Sequence, residues 1–191
     1  MIAGLLLAAG SSRRFGSPKL TVSIEGGMVI EQAARALGRL VNQLFVIVPP
    51  NASDLEAVLH KRHVRIVVNE AHAEGMASSI RAGIAALPVG VGAVVIALGD
   101  QPRPDTEAAR AVVRRWREQR DLIVVPRYRG VSGHPVMFDK RVFPELLELR
   151  GDGGGKGVIE RDPSRVAYLD FDRPAPPDID TPADLAQFSD A

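Results

Sequence analysis

The chain has 191 residues, enough for one substantial domain with its own core. With 46% hydrophobic and 25% charged residues it has the composition of a soluble globular protein, and a formal net charge of +1 gives no electrostatic case for binding nucleic acid or a membrane surface. The absence of cysteine excludes disulfides, thiolate metal sites and cysteine nucleophiles, and suits a reducing cytoplasm.

The chain opens on an apolar run over residues 2–9. No basic residue precedes it and charge follows at once, so it reads as a strand and not as a signal peptide. Similar runs recur at 44–48, 64–68, 93–98 and 122–125, and none is long enough to span a bilayer. They are continuous, not alternating, as strands buried on both faces of a parallel sheet are. Helical spacing fills the intervals: 29–40, 54–60 behind Ser53 as N-cap, 75–87 and 106–117. Strand–helix alternation with short connections predicts a doubly wound, mostly parallel, Rossmann-like α/β fold.

After Arg127 the pattern changes. Glycines at 130, 133, 151 and 153–155 break the chain into short pieces. These read as a small β-rich insertion lining one side of a cleft, within a single domain over 1–191 that divides into parts 1–127 and 128–191. The stretch 173–177, RPAPP, is expected to run extended. A last short helix over 182–188 is announced by Thr181 as N-cap and Pro182 at the first helical position.

Ligands of open α/β sheets bind at the carboxyl ends of the strands. Directly after the first strand comes GSSRRFGSPK, residues 10–19. Gly10 and Gly16 permit tight turns, successive N–H groups can cradle an anion, Arg14 can fork onto phosphate oxygens and Lys19 adds a point charge. A phosphate chain is the expected ligand; a solvated loop is the plainer alternative. The loop is not a P-loop, which needs Gly-Lys-Ser/Thr, and it lacks the dinucleotide spacing G-x-G-x-x-G. GDGGGKG, residues 151–157, also fails the P-loop pattern; it offers Asp152 and Lys156 to a ligand, or serves only as a turn.

Asp100 follows the run 93–98, where a carboxylate is a natural Mg²⁺ ligand beside a phosphate, or a cap for a nearby helix. Its partner is sought among Asp178 and Asp180, while Asp184 suits capping of the last helix. His134 has no partner at ligand spacing; it contacts substrate or anchors a loop. Ser78 and Ser79 cap backbone or touch a base. Trp116 reads as packing. With no dinucleotide fingerprint and no redox ligand set, the residues give an oxidoreductase no support.

Together these stretches resemble a known family. Leu7-Ala8-Ala9-Gly10-x-Ser12-x-Arg14-x-Gly16-x-Pro18-Lys19 resembles the signature of the MobA-like nucleotidyltransferases, most closely the molybdenum cofactor cytidylyltransferase branch. The likeness continues through Asn69, the segment 75–80, Gly99-Asp100-Gln101-Pro102, Gly133-His134-Pro135-Val136, Gly151-Asp152-x-Gly154 and 178–185. It implies a fold of the nucleotide-diphospho-sugar transferase type. It also implies attack of a substrate phosphate on the α-phosphorus of an NTP, expected to be CTP, with a molybdopterin-type acceptor. By the same resemblance Ala8, Ala9, Gly10, Ser12, Arg14 and Lys19 would hold the triphosphate. Asn69 and Ser79 would read base or ribose. Asp100 and Asp180 would hold Mg²⁺, and Gly133, His134 and Asp152 would face the acceptor. Arg14, Lys19 and Asp100 would carry the chemistry. The guanine-using branch usually begins this motif with two glycines and has aspartate before the lysine; Ala8-Ala9 and Pro18 favour the cytosine branch. Lys156 stands where relatives often carry arginine. Cytoplasmic location and transient contact with molybdenum hydroxylases complete the expectation. Its rivals are another NTP with another phosphorylated acceptor, and a non-catalytic cofactor chaperone.

Overall fold

The computed structural model describes residues 1–10, 15, 18–60 and 63–188. Strand β1 (Ile2–Leu7) leads through the short pair β2 (Ser23–Ile24) and β3 (Gly27–Met28) into helix α1 (Val29–Gly38). Then follow β4 (Gln43–Val48), α2 (Ser53–Leu59), β5 (Val64–Val68), α3 (Met76–Ala85), β6 (Ala93–Leu98) and α4 (Thr106–Gln119). The remainder is β7 (Ile123–Tyr128), β8 (Val131–Ser132), β9 (Val136–Asp139), α5 (Phe143–Leu147), α6 (Lys156–Arg161) and β10 (Val166–Phe171).

The main sheet has the order β10-β7-β9-β6-β1-β4-β5, with β8 hairpinned onto β7. The β1 neighbours β4 and β6, the β4–β5 pair and the β7–β10 pair are parallel; β9 runs antiparallel to both β6 and β7. The expected mostly parallel α/β sheet is therefore present. Beyond residue 127 the short pieces are present too, and β9 and β10 complete the central sheet.

Alternation of side chains sorts β1 between two cores. Ile2 and Leu6 pack with Ile30 and Leu37 of α1, Leu59 of α2 and Trp116 of α4. Leu5 and Leu7 pack on the opposite face with Ile80 and Ile84 of α3, Leu146 of α5 and Val158 of α6. Burying each such Leu or Ile is worth about 1.5–3 kcal/mol, so every β1 position is fixed by packing. Among the described residues no helix is long and apolar enough to cross a membrane.

Some ends differ from expectation. β1 stops at Leu7: Ala8 donates its N–H to Ile47 O at 2.8 Å, and the buried Ala8 and Ala9 then leave the ladder. Ser53 is the first residue of α2, not its cap; Ala52 precedes the helix without a side-chain bond. The segment Pro182–Phe188 is a 3₁₀-helix. Thr181 does not cap it as an acceptor. Its hydroxyl instead donates to Asp184 Oδ2 at 3.0 Å, and that same carboxylate takes the backbone N–H of Asp180 and Thr181 at 2.9 and 2.7 Å. Asp184 is the capping group.

Candidate active site

Leu7 and Leu98 are paired across the parallel strands β1 and β6, so both chains leave the sheet side by side. Gly99 donates to Leu7 O at 2.9 Å. A Cβ on Gly99 would come within 3.0 Å of that same oxygen and of Ile30 Cδ1, so glycine is what lets the two strand ends approach. Asp100 then stands at the tip of β6. Its carbonyl accepts from Ile179 N at 3.0 Å, which draws the acidic stretch 178–180 to the same point.

Lys19 comes to this point from the other side. It opens the 3₁₀-turn Lys19–Thr21, and its side chain is only 12% exposed. The ammonium donates to Asp100 Oδ2 at 2.7 Å, to Ile179 O at 2.8 Å and to Asp180 Oδ1 at 3.3 Å. An ammonium has three protons, and each has an acceptor here. A third carboxylate flanks the pair: Asp178 takes a hydrogen bond from the buried Gln101 amide at 2.7 Å. Desolvation and the charges of Asp100 and Asp180 push the Asp178 carboxyl above its ordinary range, against the opposing effects of Gln101 and Lys19.

Above these charges lies a cavity of about 520 Å³. Ala8, Ala9, Gly10, Lys19, Asp100 and Asp180 form one part of its wall. His72, Gly75, Ser79 and Asp152 contribute to the rest. Gly75 has a φ of +96°, and a Cβ there would collide with the Asp152 carboxylate and the Gly151 backbone, so the two loops meet only because this residue is glycine. A second cavity of about 450 Å³ is lined by Gly133, His134, Phe138, Lys156 and Tyr168 among others. The two cavities share Leu7 and Met76 as common wall. The two cavities are thus neighbours.

The expected site residues fall into four groups. Ala8, Ala9, Gly10, Lys19, Ser79, Asp100 and Asp180 share the first cavity. Gly133 and His134 line the second. Asp152 was expected on the acceptor side, but it lies in the wall of the first cavity, carried there by the Gly75–Gly151 contact. Asn69 lies behind the wall. Its amide donates to Ser78 Oγ at 2.8 Å and Ser79 Oγ at 3.1 Å, while its oxygen accepts from Ala71 N at 3.1 Å. It therefore braces Ser79 and lines neither of the two cavities. Ser12 and Arg14 lie outside the described residues.

Burial lowers the basicity of His134, more than the Ile96 backbone and the Asp100 charge raise it. Burial thus favours its uncharged form. Met76 and Gln101 were missed as site residues by sequence reasoning. Gln101 left one trace, its place next to Asp100. Met76 left one as well, its place in the segment 75–80 that carries the family resemblance.

The donor set bears on which metal the site suits. Among the described residues no cluster of three or more His, Cys, Asp or Glu is arranged to hold an ion. Two carboxylates do converge, those of Asp100 and Asp180, and all their donor atoms are oxygen. That fits a hard cation such as Mg²⁺, which takes one or two carboxylates and completes its shell with substrate phosphates and water. The carboxylate pair itself offers no thiolate or imidazole.

Comparison with known proteins agrees with the geometry. Residues 4–166 match the MobA-like NTP transferase domain. The chain is 29% identical to nicotine blue oxidoreductase of Paenarthrobacter nicotinovorans, over 94% of this chain and 92% of that one. It is 27% identical to the purine catabolism protein PucB of Bacillus subtilis, over 82% and 80%. It is 24% identical to a probable molybdenum cofactor guanylyltransferase of a Geobacillus strain, over 78% and 75%. The structure superposes on Rv0371c of Mycobacterium tuberculosis with a TM-score of 0.86 and 29% identity, covering 100% of this chain and 97% of that one. It also superposes on the manganese complex of Rv0371c, with a TM-score of 0.81 and 26% identity over 100% and 98%. The family match runs from Gly4 in β1 to the first residue of β10, which takes in most of both cavity walls but not Tyr168, Asp178 or Asp180, and the protein belongs to the MobA-like NTP transferase family.

Proposed function

We propose that the protein transfers CMP from CTP to the phosphate of a molybdopterin-type acceptor and releases pyrophosphate. The observation that carries this reading is the meeting of Lys19 with Asp100 and Asp180 under a cavity bordered by Ala8, Ala9 and Gly10. Cation, carboxylate pair and loop N–H groups are what a metal-bound triphosphate needs, and the adjoining cavity gives an acceptor a place beside it.

In this reading the triphosphate lies along residues 8–10, with Ser12 and Arg14 completing its cradle. An oxygen of the acceptor phosphate bonds to the α-phosphorus of CTP. The bond from that phosphorus to the bridging oxygen of the β-phosphate breaks, and pyrophosphate leaves with the electron pair. The nucleophile is already ionised at neutral pH, so no general base is needed. Bound Mg²⁺ supplies charge neutralisation of the phosphates, held by Asp100 and Asp180. The chain's own task is to bring two anions together and to stabilise the leaving charge, through Lys19, Arg14 and the loop N–H groups. Asn69 acts through Ser79, which it fixes toward the nucleotide. Gly133 and the neutral His134 face the acceptor without adding charge. The reading places the enzyme in the cytoplasm, delivering its product to molybdenum hydroxylases by transient contact.

The test is pyrophosphate release with each of the four NTPs, with and without molybdopterin. Release that requires both CTP and molybdopterin supports the reading. Release with another NTP or another phosphorylated acceptor keeps the reaction class and changes the substrate.

The name of one relative favours a second reading, since a nicotine blue oxidoreductase aligns over 94% of the chain. The sequence carries no dinucleotide fingerprint to support it. Reduction of nicotine blue by a reduced nicotinamide cofactor, without pyrophosphate release from any NTP, is the outcome that establishes it.

A further inference from the structure

The Lys19 ammonium lies on the same two carboxylates that the proposed function gives to a divalent cation. Asp100 Oδ2 is 2.7 Å away and Asp180 Oδ1 is 3.3 Å away. Lys19 is the least exposed member of this group, at 12% against 24% for Asp100 and 41% for Asp180. The contact is therefore little screened by salt. A divalent cation drawn to this carboxylate pair would stand close to the ammonium, and the two positive charges would repel each other.

We propose that Lys19 competes with the divalent cation for Asp100 and Asp180, and so couples metal loading to nucleotide loading. The inference rests on those two aspartates being the metal ligands. Three features of the chain support it. The ammonium has all three protons satisfied, so it leaves only for another strong acceptor. Such an acceptor is the triphosphate that the same cavity takes beside Gly10. The flexible four-carbon stem of lysine can swing from one partner to the other, which a planar guanidinium fork does less readily. Lys19 holds the two carboxylates until metal and phosphate arrive together. The metal alone binds poorly because it must first evict the lysine; with the triphosphate present, the evicted lysine has a new partner.

A lysine that served only as a phosphate ligand would leave metal binding without nucleotide unchanged, which makes the idea testable. Mn²⁺ binding to the whole chain is titrated by electron paramagnetic resonance with no nucleotide present, in wild type, Lys19→Met, Lys19→Gln and Asp100→Asn. Lys19→Met and Lys19→Gln are expected to bind Mn²⁺ more tightly than wild type, on the order of 10- to 100-fold, the usual range of coupling between sites. Asp100→Asn is expected to lose the site. If Asp100→Asn loses the site while both Lys19 variants bind no more tightly than wild type, the competition is overturned and the metal ligands stand. If Asp100→Asn binds like wild type, the metal assignment falls and the inference falls with it. A measurement on the wild-type chain needs no variant. Acetylation of Lys19 by acetic anhydride, followed by mass spectrometry, should rise when saturating Mg²⁺ is added alone and fall again when CTP is added as well. A rate unaffected by Mg²⁺ overturns the proposal.

Discussion

Trp116 Nε1 donates to Asp139 Oδ2 across 2.9 Å, with both residues buried, and so ties α4 to the last residue of β9. β9 runs antiparallel to both of its neighbours, β6 and β7, and its Val136 and Phe138 form part of the second cavity. The carboxylate is also held by Arg141, through Nε at 2.7 Å and the backbone N–H at 3.1 Å. Removing it leaves a buried indole N–H unpaired, so Asp139→Ala is expected to cost about 1–3 kcal/mol in urea denaturation. The bond also sets a pH dependence. Burial alone would raise the Asp139 carboxyl, but the bonds from Arg141 and Trp116 outweigh it and hold it below its ordinary range. A carboxyl with a depressed pKa adds stability that is complete above its unfolded value, near 3.9, and is lost as pH falls through the folded value. Wild-type Tm should therefore fall more steeply below about pH 4 than that of Asp139→Asn. Parallel acid limbs for the two proteins would show that the carboxylate adds nothing to acid stability.

Gly83 lies on the face of α3 that meets β1. A Cβ at this position would stand 2.7 Å from Leu5 Cδ1 and 3.1 Å from Ile47 Cδ1. Alanine is the better helix former by about 0.8–1.0 kcal/mol, so propensity predicts stabilisation. Overpacking of a filled core costs typically about 1–3 kcal/mol and should win. Gly83→Ala is expected to lower the urea midpoint with an unchanged m-value. A raised midpoint would show that Leu5 and Ile47 yield freely to the added methyl.

How far the sequence reached depended on whether a signal was local. The continuous apolar runs located β5 and β6 at their observed bounds because burial on both faces leaves an uninterrupted pattern. β9 has only four residues and follows Pro135, so it was read as part of an insertion; pairing with β6 and β7 makes it a strand, and no local pattern reports pairing. Lys19, Asp100 and Asp180 were each legible as charged residues just beyond apolar or capped segments. That one ammonium would span two carboxylates 81 and 161 positions away is a property of the sheet and not of any motif. Asn69 illustrates the limit. The family resemblance implied that it reads base or ribose, while its hydrogen bonds to Ser78 and Ser79 make it a brace.

Asp152 separates two assignments by kinetics. Under the proposed function its place beside Gly75 in the first cavity would put it with the nucleotide, where the family resemblance implied the acceptor. Asp152→Ala is therefore expected to raise KM for the nucleotide while leaving KM for the acceptor within about twofold, as loss of a ground-state contact to one substrate does. A rise confined to the acceptor KM would return Asp152 to the second cavity.

Base choice is the sharpest remaining expectation. Ala8, Ala9 and Pro18 stand where guanine-using relatives tend to have Gly-Gly and aspartate. Ala8 and Ala9 are buried in the first cavity wall, so their methyl groups narrow the space that two glycines would leave. Cytosine is the smaller base. Its N4 amine needs an acceptor where the O6 of guanine needs a donor, and the same cavity holds a carboxylate, Asp152, that can only accept when ionised. Placing guanine there leaves buried polar groups unpaired, at roughly 1–3 kcal/mol each. Two mismatched groups amount to a preference between about 30-fold and about 2 × 10⁴-fold, at 1.4 kcal/mol per decade. CTP should accordingly exceed GTP in kcat/KM with molybdopterin, and Ala8→Gly together with Ala9→Gly should narrow the gap by admitting the larger base. Side-by-side kcat/KM values for the two nucleotides decide the matter. A preference for GTP would place the protein with the guanine-using relatives and leave the proposed roles of Lys19, Asp100 and Asp180 intact, because the proposal gives those residues to phosphate and metal and not to the base.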